Sequence, residues 1–340
     1  MMPSDRPFFI AEAGVNHNGE LRLALKLVDA AADAGADAVK FQTFSADKLA
    51  TATAPKAGYQ KATTKASESQ LKMLRRLELG RKEHERVLAH CRRRGILFMS
   101  TPFDEDSADF LDRLGMRIFK IPSGELTNPS LIERVAAKGK PVILSTGMGT
   151  LAEVAQAVRW LRRAGNKSLT LLQCVSNYPA APADVNLRAM ETMRRAFRVP
   201  VGYSDHTPGL EISLAAAALG AAVIEKHFTL DRDLPGPDHR MSLEPAELTA
   251  LVAGVRAVAA SLGDGIKAPS AAEADTARVA RRSVVLAHAC PAGTRLTSDL
   301  LVFKRPGTGI PPALSARLVG RRLKRALPAD ALLSLKDLSR

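Results

Sequence analysis

The chain is expected to fold as an α/β protein, a (β/α)8 TIM barrel followed by a small, mostly β unit. Strand-like and helix-like runs alternate eight times within about 260 residues, the count and length of such a barrel. Beyond a polar stretch at 264–275 the pattern changes to short runs and many turns. There PAGTRLTSDL at 291–300 is echoed by PADALLSLKDL at 328–338, as two related β units would require. The expected organisation is a barrel over 1–263, a linker over 264–280 and a compact unit over 281–340.

The elements follow in order. A short apolar run at 8–12 opens the barrel, and Leu23, Leu25, Leu27, Val28 and Ala31 give the helical pattern of 21–34. The second strand candidate is 36–41. A polar stretch and a long helical region, 67–94 with a break at Gly80, come next. Strand runs at 96–100, 117–121, 141–145 and 168–174 are followed by helical patterns at 105–114, 128–137, 151–164 and 186–196. The last two strands, 199–203 and 222–227, flank an Ala-rich run at 214–219, and 244–262 is the final helix. A doubly wound open sheet would need a Gly-rich first turn, and EAGVNHNG at 12–19 lacks that fingerprint.

Composition narrows the function classes. Hydrophobic and charged contents of 46% and 25% are ordinary globular values. There is no run of about 18 apolar residues for a membrane span, and the run at 8–11 is too short for a secretory signal. Cys91, Cys174 and Cys290 are scattered without metal-ligand spacing, so they read as reduced thiols and point to the cytoplasm. The net charge is +14, and residues 276–340 hold 13 Lys and Arg against 3 Asp and Glu. A basic tail is one mark of a nucleic-acid binder. Aromatic residues at 4% offer no stacking platform, so neither nucleic acid nor membrane is expected as a partner.

Barrel enzymes carry their chemistry at the C-terminal strand ends. His206 and His227 end consecutive strands, and two imidazoles meeting at one barrel mouth suit a divalent metal. Either histidine alone is as readily a member of a core polar network. Lys40, Thr101, Lys120 and Ser123 also fall at strand ends, and inward lysines are costly unless they meet an anion. Together they suit a phosphate or carboxylate. Glu12 and Glu125 are acid/base candidates, with pairing to a neighbouring lysine as the plainer alternative. No phosphate-cradling glycine loop of the nucleotide-hydrolase type is present. These residues point to a metal-assisted reaction on a small anionic, phosphorylated substrate.

The motifs IAEAGVNHNG (10–19), AVKFQT (38–43), STPFD (100–104), FKIPSGELTN (119–128), PVILSTGM (141–148), GYSDHTPG (202–209), IEKHFTLD (224–231) and GPDH (236–239) resemble the N-acetylneuraminate (sialic acid) synthase family. VFKRPGTGI (302–310) and LVGRRLKRAL (318–327) are similar to that family's antifreeze-like (SAF) domain. The resemblance implies a cytoplasmic transferase that adds phosphoenolpyruvate to N-acetylmannosamine, releasing phosphate and a nine-carbon 2-keto-3-deoxy acid. Legionaminate and pseudaminate synthases, acting on a diacetamido-trideoxyhexose, share nearly all these motifs.

By the same resemblance, His206 and His227 match metal ligands, with Mn²⁺ the usual ion. Lys40, Thr101, Lys120, Ser123 and Ser204 match phosphoenolpyruvate contacts. Glu12 matches a carboxylate near the reacting centre, and Glu125 a proton-transfer group. Gln42, Tyr178, Asp238 and Arg305 match sugar contacts, Arg305 reaching the barrel of the other chain in a domain-swapped homodimer. Some sialic acid synthases carry Asn where this chain has Ser176, which weakens transfer of the sugar's identity. Two rival classes remain: a pyruvate aldolase using Lys120 or a metal, and a non-catalytic carbohydrate- or ice-binding protein.

Overall fold

A computed structural model describes residues 6–65 and 67–339. Residues 1–5, 66 and 340 of the expected domain ranges lie outside the described residues. The chain divides into two compact units between Gly263 and Asp264.

The first unit holds eight parallel strands: β1 (Phe8–Gly14), β2 (Ala38–Thr43), β3 (Leu97–Pro102), β4 (Phe119–Ile121), β5 (Val142–Ser145), β6 (Leu169–Cys174), β7 (Val201–Asp205) and β8 (Val223–His227). Their hydrogen-bonded order is β3-β2-β1-β8-β7-β6-β5-β4, and β3 packs beside β4 to close the ring. The helices that follow them are α1 (Leu21–Asp33), α2 (Arg81–Arg94), α3 (Glu105–Arg113), α4 (Pro129–Ala136), α5 (Leu151–Arg163), α6 (Ala189–Phe197), α7 (Glu211–Ala218) and α8 (Pro245–Ser261). Each lays an apolar stripe on the sheet. In α1 the stripe is Ala24, Leu27, Val28 and Ala31, the spacing of one helical face.

Strand pleating sorts the inward positions by height. Phe8, Ile10, Ala38, Met99, Ile118, Ile143, Leu172 and Val223 form a separate apolar cluster inside the ring. Two residues further along their strands stand Glu12, Lys40, Thr101, Lys120, Ser145, Cys174 and Glu225, all buried. At the same lower level of β7 sits Gly202, where a Cβ would lie 2.2 Å from the Val223 carbonyl oxygen. The packed interior leaves room for glycine alone there.

One stretch departs from the expected pattern. The segment between β2 and α2 carries three short helices, Ala46–Leu49, Gly58–Thr63 and Gln70–Arg75, and Gly80 then caps α2. The first two fall in what the sequence presents as a polar stretch, since four to six residues are too few to show a helical period. A small apolar cluster of Val15, Phe44, Met73 and Leu77 ties this excursion to the top of the barrel.

In the second unit, β9 (Ser283–Leu286) pairs antiparallel with β10 (Leu301–Lys304), and β11 (Arg322–Leu323) with β12 (Leu338–Ser339). The two echoed segments adopt the same course, a turn, a bridge and a 3₁₀ turn before a strand. Cys290 and Leu327, each just before its segment, exchange both backbone hydrogen bonds at 2.9 Å. The expected linker contains a helix, Ala274–Ala280, and its Arg278 carbonyl accepts the Gly307 N–H at 2.8 Å. All three cysteines are free and buried. Among the described residues no helix is long and apolar enough to cross a membrane.

Candidate active site

Twelve of the thirteen site residues expected from the sequence line one cavity at the C-terminal mouth of the barrel: Glu12, Lys40, Gln42, Thr101, Lys120, Ser123, Glu125, Tyr178, Ser204, His206, His227 and Asp238. Arg305 lies in the second unit, exposed just past β10.

The floor of the cavity is a ring of charge. Lys40 Nζ sits 2.5 Å from Glu12 Oε2 and 3.7 Å from Glu225 Oε2, and donates to Thr101 Oγ1 at 3.0 Å. Lys120 Nζ donates to Glu225 Oε1 at 2.8 Å, and Ser204 Oγ donates to the same oxygen at 3.0 Å. The anions these lysines require are thus supplied by the chain itself. Burial raises the Glu12 carboxyl to about 7, with the Glu225 charge adding to the rise and Lys40 offsetting part of it. For Glu225 burial pulls the same way, but Lys120 and Lys40 outweigh it and hold the group below its ordinary value. Neighbouring carboxylates whose affinities for a proton differ this much are equipped for separate roles. Glu225, a strand-end residue with no assigned role in the sequence, is central to this ring.

Around the floor the loops add polar groups. Gly147 N–H donates to Ser123 Oγ at 2.9 Å. A Cβ on Gly147 would lie 2.4 Å from Ser176 Oγ, so these residues form a tight cradle. Glu125 Oε2 accepts from Asn128 Nδ2 at 2.7 Å, and Asn128 in turn caps α4. Gly14, at φ +54° in a bulge of β1, faces His227, Gln42 and Glu12 together, and a side chain there would push into the mouth. Gln42 Nε2 lies 3.4 Å from Glu12 Oε1. Burial raises Asp238 to about 6, countered in part by His206.

The rings of His206 and His227 stand 5.4 Å apart, centroid to centroid. His206 Nδ1 donates to the Val175 carbonyl at 2.7 Å, leaving Nε2 as its free nitrogen. His227 Nδ1 is buried without a hydrogen-bond partner. Burial, with His206 and Lys40 beside it, lowers His227 well below its ordinary value and keeps it neutral. Two oriented imidazoles, one with an orphaned buried nitrogen, fit a divalent cation. Among the described residues no group of three or more His, Cys, Asp or Glu side chains is placed to hold a metal ion together, so this chain's own donors to a cation here are the two imidazoles.

The Tyr178 ring lies 4.1 Å from the His206 ring, tilted by 41°, and the Tyr59 ring lies 4.9 Å from Tyr178. Tyr59 belongs to the excursion after β2, and no motif in the sequence singles it out. The same excursion brings Leu49, Met73, Leu74 and Leu77 to the cavity wall.

Comparison with known proteins agrees with this geometry. The NeuB family matches residues 27–267, and the SAF domain matches residues 281–339. N,N'-diacetyllegionaminic acid synthase of Campylobacter jejuni is 46% identical over 330 residues, 96% of this chain and 99% of that protein. The protein of the same name from Legionella pneumophila is 48% identical, over 96% of this chain and 93% of its own length. The crystal structure of N-acetylneuraminic acid (sialic acid) synthetase from Leptospira borgpetersenii, in complex with citrate, is 38% identical with a TM-score of 0.71. It covers 80% of this chain and 90% of its own. The chain therefore belongs to the NeuB family, with a C-terminal SAF domain, and is a phosphoenolpyruvate-condensing synthase of the sialic acid type.

Proposed function

We propose that the acceptor is 2,4-diacetamido-2,4,6-trideoxymannose and the product the corresponding nine-carbon 2-keto-3-deoxy acid, as for the two legionaminic acid synthases it resembles. The observation that carries this choice is the cavity wall. Tyr59, Tyr178, Leu49, Met73, Leu74 and Leu77 present apolar surface at the mouth. Two acetamido methyls and a C6 methyl can cover such a wall, whereas a C6 hydroxyl would lose water there without a partner. N-acetylmannosamine, giving N-acetylneuraminate, is the second reading, favoured by the similarity to the Leptospira synthetase.

In the proposed reaction the methylene carbon of phosphoenolpyruvate bonds to the aldehyde carbon of the open-chain sugar, whose oxygen takes a proton. Water adds to the cationic C2 and gives up one proton, and the C–O bond to phosphate then breaks as the new C2 hydroxyl becomes the carbonyl and its proton leaves with phosphate. Lys40, Lys120, Thr101, Ser123 and Ser204 would hold the phosphoenolpyruvate anion, replacing the internal pairs with Glu12 and Glu225. Glu12 would take the proton of the attacking water and Glu125 would handle the proton at the sugar oxygen. Gln42, Tyr178 and Asp238 would orient the sugar. His206 and His227 would hold a divalent metal, Mn²⁺ by preference, which when bound supplies Lewis-acid polarisation of the aldehyde. Arg305 would reach the sugar from the SAF domain of a second copy in a cytoplasmic homodimer.

The test is a panel of phosphoenolpyruvate with N-acetylmannosamine, the diacetamido mannose and its altrose isomer, with products read by mass and phosphate release. A clear preference for N-acetylmannosamine overturns the sugar assignment. Turnover of pyruvate without phosphate release would return the aldolase reading. For the dimer, mixing Arg305→Ala with Lys120→Ala chains should regenerate activity. Its absence in confirmed heterodimers overturns the shared site.

A further inference from the structure

Behind the two histidines, on the outer face of the barrel wall, lies a buried ion pair that the reaction above does not use. Asp205 and Lys226 are register partners on β7 and β8. Their side chains meet at 2.8 Å with relative exposures of 0% and 1%. Each immediately precedes one histidine of the mouth, so the strand pleat sends the ion pair outward and the imidazoles inward.

The pair also grips the chain beyond the end of β7. The Asp205 Oδ1 accepts from both Thr207 N–H and Thr207 Oγ1, at 2.8 and 2.7 Å. Asp205 Oδ2 accepts from Ser213 Oγ of α7 at 2.6 Å, besides Lys226. Lys226 Nζ donates to the Thr207 carbonyl. His206 follows the last laddered residue of β7, and its two neighbours are held by these contacts. Asp205 Oδ1 and Lys226 Nζ both hold Thr207, while Asp205 Oδ2 ties the pair to α7, which is more than closing the β7–β8 seam requires.

We propose that Asp205 and Lys226 are positioning residues that set the spacing of His206 and His227 for a divalent cation. The inference rests on the metal role assigned to those histidines. The ion pair touches neither substrate nor cation and acts through the backbone on either side of His206. A buried pair of this kind is weak evidence of added stability, because an apolar pair of similar volume often serves the fold as well. Specified geometry is the better reason for it.

The experiment titrates Mn²⁺ alone into chelator-treated full-length protein, with free Mn²⁺ read by electron paramagnetic resonance. The double variant Asp205→Asn with Lys226→Met removes both charges without stranding either. It is expected to keep a cooperative melt and to bind Mn²⁺ about tenfold more weakly, the scale of losing an outer support of a metal ligand. Arg256→Met is the control for destabilisation alone. It breaks the 2.6 Å contact of Arg256 with Asp37, which precedes the N-terminal end of β2, and Mn²⁺ affinity should not change. Affinity within twofold of wild type in the double variant overturns the proposal, as does an equal loss in Arg256→Met. If the double variant fails to fold, Ser213→Ala decides: about threefold weaker binding supports the proposal, and unchanged binding overturns it. If His227→Ala binds Mn²⁺ as wild type does, the metal role itself fails and the proposal with it.

Discussion

The lower and upper halves of the barrel interior are built from the same strands, two residues apart, and have opposite chemistry. Below, Ile10, Met99, Ile118, Ile143 and Val223 fill the ring with apolar side chains. Above, about 7 Å along each strand, Glu12, Thr101, Lys120, Ser145 and Glu225 fill it with polar ones that are equally buried. Burial in the lower half lowers the free energy of the fold directly. In the upper half it removes water from charges whose partners are one another and the Thr101 and Ser204 hydroxyls, so the arrangement is costly and depends on the scaffold beneath. The pleat therefore divides the barrel into a layer that holds the fold and a layer that holds the chemistry.

The sharpest test of this division lies at the top. His206→Ala and His227→Ala should each lower turnover more than about a hundredfold, beyond what losing only an outer support of a metal ligand costs, while the melting temperature moves by only a few degrees. Chelation should do the same to wild type and Mn²⁺ should reverse it. Undiminished turnover in a chelated sample, with metal shown to be negligible, would break the assignment.

Next in size is Lys120→Ala. Losing its charge-assisted contacts should cut kcat/KM for phosphoenolpyruvate by about tenfold to a hundredfold. Glu225 keeps Lys40 within 3.7 Å in that variant, so the fold should survive. Borohydride with substrate should leave the wild-type Lys120 unmodified. A substrate-dependent adduct there would replace the anion clamp by a Schiff base.

A smaller effect is expected from Glu12, whose carboxyl burial raises from 4.5 to about 7. The folded state holds this proton more tightly than the unfolded chain does. Its contribution to stability is therefore complete below about 4.5 and is lost as pH rises through about 7. The carboxylate needed as a base accumulates over the same range. kcat/KM should rise about tenfold between pH 6 and 8, and Glu12→Gln should flatten that limb. A limb that persists in Glu12→Gln belongs to another group.

The least effect on catalysis should come from the lower layer. Ile143→Ala should destabilise the protein by about 2–5 kcal/mol, read by denaturant melts. With the protein folded, kcat/KM should stay within twofold of wild type. A larger catalytic loss would mean that the two layers are not separable.

Much of this was legible in the residues alone. The eightfold alternation is a local signal, since strand and helix periods are written within five to fifteen residues. It located the strand ends, and with them Lys40, Lys120, His206 and His227. The repeat at 291–300 and 328–338 was legible for the same reason, as each copy carries its own turn chemistry. The excursion after β2 was not, because its helices are too short to show a period, and Tyr59 went with it. Nor was the partner of any charged residue. Lys120 meets Glu225 across 105 positions of sequence, and Lys226 lies 21 positions from Asp205. Periodicity states which way a side chain points, but closure of the barrel decides what it faces. Glu225 could therefore be placed on its strand from sequence, while its place between two lysines, and its hold on a negative charge, came only with the tertiary fold.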